Sequence, residues 1–173
     1  MKKYIPKMYQ KNVFDINYKK LKKMGIKVLA FDLDNTLLLI DKEDFSKEIL
    51  SLLQDLQKDF KIAIITNNTL SRVKKIKFTD VEIVTVVSAF KPSSFGFRRL
   101  IRKLKCNRED ICMIGDQLVT DILGGNRFGL TTVLVDSLGK KDLKITSFNR
   151  IIEKRKLKKL KEEGLLERGK YYE

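Results

Sequence analysis

Unbroken apolar runs alternate along the chain with stretches whose apolar residues recur every three or four positions. The run Val28-Leu29-Ala30-Phe31 leads into Asp32-Leu33-Asp34-Asn35-Thr36-Leu37, and four to eight continuous apolar residues fit a strand buried on both sheet faces. Phe45, Ile49, Leu52, Leu53 and Leu56 then fall at helical spacing, which predicts an amphipathic helix over 43–58. A second run predicts a strand over 61–66, ending in Thr66-Asn67-Asn68. A short helix over 70–76 and a β-branched strand over 82–87 follow. Pro92-Ser93-Ser94 marks a helix start, continued over 95–105. A strand over 111–114 ends in Gly115-Asp116, a helix spans 119–128 with Gly129 as its left-handed terminator, and a fifth strand covers 131–135. The stretch over 148–163 is helical in pattern, with Ile151, Ile152, Leu157 and Leu160 set among Lys and Arg. This alternation predicts a three-layer, doubly wound α/β fold around a parallel five-stranded sheet. A single domain over 1–173 is expected, with the 1–27 and 140–173 stretches packed on or beside its core.

Composition narrows the chemistry. No stretch approaches the ~18 apolar residues of a membrane span, and no apolar segment follows the basic Met1-Lys2-Lys3 start, so no secretory signal is expected. Cys106 and Cys112 have no metal-site spacing, which points to reduced, structural thiols in a cytoplasmic protein. Histidine is absent, so acid–base work falls to Asp, Glu, Lys or Tyr. No P-loop or GxGxxG occurs. The formal charge of +15 is carried by the ends: residues 1–27 hold nine Lys against one Asp, and 140–173 hold twelve basic residues against six acidic ones. Such ends attract a polyanion, either an anionic membrane face or nucleic acid. A coding bias toward lysine explains the same surplus without a partner, since the chain has 28 Lys to 9 Arg.

Four polar clusters fall at or just past predicted strand ends: Asp32/Asp34, Thr66, Lys91, and Asp116 with Asp121. Carboxyl ends of parallel strands share one edge, so all four can face one crevice. Two close carboxylates imply a cation, most simply Mg²⁺ through oxygen ligands. A carboxylate can attack phosphorus once phosphate charge is neutralised. A second acid can protonate the leaving oxygen and then activate water, while a hydroxyl and an ammonium hold the equatorial oxygens. Singly, each residue has a plainer reading: an acidic turn, a strand-end hydroxyl, a solvated lysine, a helix cap. Jointly and in this order, they favour phosphoryl transfer.

The order Asp32-Leu33-Asp34-Asn35-Thr36, Thr66-Asn67-Asn68, Lys91-Pro92 and Gly115-Asp116-Gln117-Leu118-Val119-Thr120-Asp121 resembles the four motifs of the haloacid dehalogenase (HAD) superfamily. The run from Gly115 through Gly124-Gly125-Asn126-Arg127, with Asn12-Val13-Phe14-Asp15-Ile16 and Phe148-Asn149-Arg150, is similar to its YqeG-type branch in subfamily IIIA. That branch is similar to phosphatidylglycerophosphate phosphatases. The resemblance implies Asp32 as nucleophile and Mg²⁺ ligand, and Asp34 as general acid and base with its backbone carbonyl on the metal. It implies Thr66 and Lys91 as phosphoryl-binding groups, with Asn67 offering its backbone N–H or side chain. Asp116 becomes the third metal ligand, and Asp121 the carboxylate that orients it directly or through water. Thr36 shapes the turn.

The gaps between Asp34, Thr66 and Lys91 leave no room for a cap domain, so the site is expected to be open and suited to a phosphomonoester on a large carrier. An anionic phospholipid satisfies both the open site and the basic ends, with peripheral contact at the inner membrane face. Nucleic-acid ends, a phosphoprotein, or a phospho-aspartate switch without turnover are the rival readings; the Asp32-x-Asp34 pair argues against the last. Nothing in the pattern specifies an oligomeric state.

Overall fold

The computed structural model describes residues 2–78, 80–139 and 147–172, without the side chains of 147–152; Ile151 and Ile152 as packing positions therefore lie outside the described residues. Its strands are β1 (Met8–Gln10), β2 (Val28–Phe31), β3 (Lys61–Ile65), β4 (Ile83–Val86), β5 (Ile111–Gly115) and β6 (Thr131–Val135). They form one sheet in the order β1-β6-β5-β2-β3-β4, with every pairing parallel. The sheet thus has six strands rather than the five expected. The additional strand is a three-residue edge piece, Met8-Tyr9-Gln10, too short and too mixed to stand out as an apolar run.

Side-chain alternation puts Leu29, Phe31, Ile62, Ile64, Cys112 and Ile114 on one face of the sheet, and Val28, Ala30, Ala63, Ile65, Ile111 and Met113 on the other. The first face carries α1 (Tyr18–Lys23), α2 (Lys47–Leu56) and α3 (Leu70–Lys74); the second carries α4 (Phe95–Leu104) and α5 (Gly124–Phe128). Both faces are covered, as unbroken apolar strands require. Helix α2 starts later than its apolar spacing suggests because Ser46 caps it, its Oγ accepting from the Ile49 N–H at 3.2 Å. Gly129, at φ 88°, ends α5 as expected.

The two basic ends are tied to the sheet. Met8 pairs with Tyr171 in an antiparallel bridge, and the N–H groups of Tyr9 and Tyr172 donate to the carbonyls of Lys170 and Lys7. This pairing covers the otherwise open outer side of β1. Helix α6 (Ser147–Glu162) sets Leu160 against Tyr9, Leu118 and Leu134. Asn126 fastens the N-terminal segment: its amide donates to the Lys3 and Ile5 carbonyls, both at 2.9 Å, and its oxygen accepts from Thr132 Oγ1 at 2.7 Å. Close approach explains the neighbouring glycines, since a Cβ on Gly125 would lie 2.6 Å from Thr132 Cγ2 and one on Gly124 would lie 3.0 Å from Pro92 Cα.

Asn126→Ala leaves two carbonyls and a hydroxyl without their partner. It is expected to destabilise the protein by about 1–3 kcal/mol and to speed proteolysis ahead of β1. Urea denaturation checks this; an unchanged midpoint would contradict the fastening role.

Candidate active site

Parallel strands deliver their carboxyl ends to one edge. Asp32 follows β2, Thr66 follows β3, Lys91 lies just past β4, and Asp116 follows β5. All four are buried, and so are Asp34 and Asp121. The ammonium of Lys91 sits between two carboxylates, donating to Asp32 Oδ1 at 2.8 Å and to Asp121 Oδ1 at 2.6 Å. Burial disfavours that charge, but Asp121 and Asp32 outweigh burial and hold Lys91 protonated above its ordinary range. Asp32 has the opposite balance. Burial raises its pKa, Lys91 lowers it, and Asp121 and Asp116 raise it again, leaving the carboxyl at about 7.

Local structure explains why these groups meet. The Lys91 peptide is clamped by the Asn67 side chain, which accepts from the Lys91 N–H at 2.7 Å and donates to the Lys91 carbonyl at 3.0 Å. Both ends of that amide are therefore engaged with Lys91 backbone. The Asn68 N–H donates to Thr66 Oγ1 at 3.1 Å, shaping the turn after β3. After β5 the chain enters a π-helical turn, Leu118–Leu123, before α5, where an ordinary helix over 119–128 was expected. The wider turn carries Asp121 inward, where its Oδ2 accepts from the Gln117 N–H at 3.0 Å. Gly115 permits this, because any Cβ at that position would overlap the Asp121 carboxylate. Thr36 Oγ1 donates to Asp116 Oδ1 at 3.4 Å, so the turn after β2 also reaches the β5 end.

The structure brings Asp32, Asp116 and Asp121 together, with one oxygen from each within 4.8 Å of the others. The Asp34 carboxylate is placed elsewhere, accepting from Arg72 Nη2 at 3.0 Å and from the Asn68 amide. Burial raises the Asp34 pKa above its ordinary value despite the opposing pull of Arg72 and Asn68. Arg72 and Asn68 are site residues that the sequence reading missed. Arg72 also donates to the Lys42 carbonyl at 2.7 Å and the Ile40 carbonyl at 3.3 Å, tying the loop after Asp34 to α3. The only sequence signal for it was a cation on the helix that follows Thr66-Asn67-Asn68. Cys106 and Cys112 form no disulfide. A cavity of about 810 Å³ flanks α4 and reaches Asn107 and Arg108 at the opposite edge, away from the carboxylates.

The HAD-hydrolase-like family profile matches residues 89–150. The chain is 37% identical over 162 residues to the probable phosphatase YqeG of Bacillus subtilis, covering 93% of this chain and 94% of that one. It belongs to the YqeG-type HAD phosphatases. A shorter match, 34% identity over 105 residues, links 56% of the chain to 43% of the ribulose-1,5-bisphosphate 5-phosphatase of Halopiger xanaduensis. The fold is shared with an HAD-like family hydrolase from Porphyromonas gingivalis (TM-score 0.52, 14% identity, 74% of this chain and 98% of that one). It is shared too with the HAD hydrolase YfnB of Bacillus subtilis, a structure bound to magnesium (TM-score 0.51, 16% identity, 63% of this chain and 88% of that one).

HAD hydrolases generally use Mg²⁺, and the residues at this edge fit a hard cation. The donors are carboxylate oxygens, they converge, and burial, with Asp121 and Asp116 adding to it, pushes Asp32 toward protonation in the metal-free protein. The sign of the pH dependence follows. Because the folded Asp32 holds its proton more tightly than an unfolded one, its contribution to metal-free stability is full below its ordinary pKa and is lost as pH rises through about 7. Mg²⁺ bound by this cluster would compete with that proton. Its stabilisation, read as a rise in Tm, is expected to be larger at pH 8 than at pH 5.5, with affinity levelling above about 7. Equal shifts at both pH values would contradict the coupling.

Proposed function

We propose that this phosphatase hydrolyses phosphatidylglycerophosphate to phosphatidylglycerol in a Mg²⁺-dependent reaction through an aspartyl-phosphate on Asp32. The observation that carries the chemistry is the separation of the two motif acids. Asp32 sits in the carboxylate cluster against Lys91, while Asp34, two residues on, is held by Arg72. Asp32 forms a bond to phosphorus as the bond to the leaving alkoxide breaks, and Asp34, protonated at the outset, donates its proton to that oxygen. The raised Asp34 pKa suits that starting state. Asp34, now ionised, takes a proton from water as the water oxygen bonds phosphorus and the Asp32–phosphorus bond breaks. Inorganic phosphate leaves and both acids return to their first state.

In this reading, Thr66 Oγ1, Lys91 Nζ and the Asn67 backbone N–H hold the phosphoryl oxygens. Asp32, Asp116 and the Asp34 carbonyl hold Mg²⁺, and Asp121 fixes Asp116 and Lys91 in place. Bound Mg²⁺ supplies charge neutralisation for the transferring phosphoryl group.

Three observations support a lipid carrier. Only α2 separates Asp34 from β3, and only α3 and β4 separate Thr66 from Lys91, so no inserted domain covers the edge among the described residues. The chain carries a charge of +15. The YqeG-type branch also resembles phosphatidylglycerophosphate phosphatases. No described helix is long and apolar enough to cross a membrane, and action at the cytoplasmic membrane face is part of the proposal.

Phosphate release from phosphatidylglycerophosphate in mixed micelles is expected to exceed release from an aryl phosphate, ribulose-1,5-bisphosphate and a 3′-phosphorylated oligonucleotide. Preference for any of the other three would overturn the substrate. Asp32→Asn is expected to abolish turnover, and Asp34→Asn to slow it about 10²–10⁴-fold, each with a retained urea transition. Near-normal turnover in either variant would contradict the assigned roles.

A further inference from the structure

Among the described residues seven large apolar side chains are exposed: Phe14, Met24, Leu39, Leu70, Phe90, Phe95 and Leu138. Scattered surface apolar residues need no explanation, but these are not scattered. Phe14 lies on the segment leaving β1, Leu39 on that leaving β2, Leu70 on that leaving β3, Phe90 and Phe95 on that leaving β4, and Leu138 on that leaving β6. All six therefore follow carboxyl ends of parallel strands, the edge that carries Asp32, Thr66, Lys91 and Asp116. Met24 alone belongs to the opposite edge, ahead of β2.

The ring is built rather than loose. Phe14, Leu39 and Leu138 line a cavity of about 440 Å³ with Leu37, Phe45 and Ile49. That cavity rests on the turn that carries Asp34: the Leu138 N–H donates to the Asn35 carbonyl at 2.8 Å, and the Asn35 N–H donates to the Leu38 carbonyl at 2.6 Å. Across the site, Phe90 is 65% exposed although its ring meets Phe95 edge to face at 5.9 Å. It is held at φ 54°, a left-handed conformation uncommon for a bulky residue, directly before the Lys91 peptide that Asn67 clamps.

We propose that this ring is a bilayer-seating face, and that the phosphatase docks its carboxyl edge onto an anionic phospholipid membrane with the ring at the boundary between headgroups and acyl chains. This deepens the lipid-phosphate reading above and rests on it. A phosphomonoester on a lipid must enter past the ring while its acyl chains stay in the membrane. An apolar rim around a polar centre matches that division, and apolar side chains gain by leaving water. Charge along the edge is mixed. Lys11 and Lys42 lie on the same edge, and Lys154 shares a second cavity, about 200 Å³, with Asp116. The acids there, besides the site carboxylates Asp32, Asp34, Asp116 and Asp121, include Asp15, Asp41, Glu43, Asp44, Asp136 and Glu153. Of these Glu43 pairs with Lys75 at 3.2 Å and Asp136 with Arg168 at 2.5 Å, within a chain of charge +15.

The chain contains no tryptophan, so single insertions report the face directly. Leu138→Trp and Leu70→Trp, on opposite sides of the site, are expected to shift their fluorescence to the blue on vesicles of phosphatidylglycerol and phosphatidylcholine, and to be quenched by brominated acyl chains. Met24→Trp is expected to do neither. No shift at either rim position, or the same shift at Met24, overturns the proposal. In parallel, Phe14→Ser with Leu138→Ser is expected to lower vesicle binding and vesicle-borne phosphatidylglycerophosphate hydrolysis at least about tenfold, with aryl phosphate turnover and Tm retained. Wild-type-like hydrolysis and binding in that variant would remove the face and leave the substrate reading standing. Rim-dependent vesicle binding by a protein that releases no phosphate from the lipid would remove the substrate reading and leave the face.

Discussion

The buried ammonium of Lys91, shared between Asp32 and Asp121, is the interaction on which the site depends. A lone carboxylate in this apolar setting would be forced toward its neutral form, and an unpaired lysine would be too. Together, buried and hydrogen-bonded, they offset that cost. The pairing also joins strands distant in sequence, because Asp32 leaves β2, Lys91 leaves β4 and Asp121 follows β5. The rest of the edge exists to keep these three groups in register. Asn67 clamps the Lys91 peptide, Gly115 leaves room for the Asp121 carboxylate, and the π-helical turn carries Asp121 under the sheet end.

The same arrangement divides the labour of two carboxylates that sit almost side by side in sequence. A continued strand would set Asp32 and Asp34, two residues apart, on one face; the chain leaves β2 after Phe31 instead, and each carboxylate finds a different cation: Lys91 for the first, Arg72 for the second. The proposed nucleophile is thereby tied to the phosphate-binding charge and the carboxylate cluster. The proposed acid is tied to α3 and to the loop through Ile40 and Lys42. A shift of α3 would therefore alter proton transfer without disturbing the cluster. The proposed membrane face fits this division, since Leu39 and Leu70 stand on the two segments that Arg72 joins.

The central strands were legible because each is an unbroken apolar run, and a sheet covered on both faces leaves no other place for such a run. The polar residues that end them, Asp32, Thr66 and Asp116, were legible for the same reason: chemistry at strand ends interrupts the apolar pattern. What escaped the sequence depends on contacts between distant segments. Strand β1 has three residues and is defined by its partners β6 and Tyr171. Arg72 and Asn68 matter only because the fold sets them on Asp34. Asn126 looked like part of a glycine-rich signature, yet its visible work is to fasten residues 3 and 5. The π-helical turn was hidden because its apolar positions satisfy an α-helical spacing equally well.

Identifying the atom that carries the phosphoryl group tests the central claim most directly. Rapid quenching during turnover, followed by borohydride reduction and peptide mass spectrometry, converts an acyl-phosphate on aspartate to homoserine. Homoserine at position 32, absent without substrate, is the predicted result. Homoserine at another aspartate, or none at a quench time when single-turnover phosphate release is under way, would contradict a reaction that passes through Asp32.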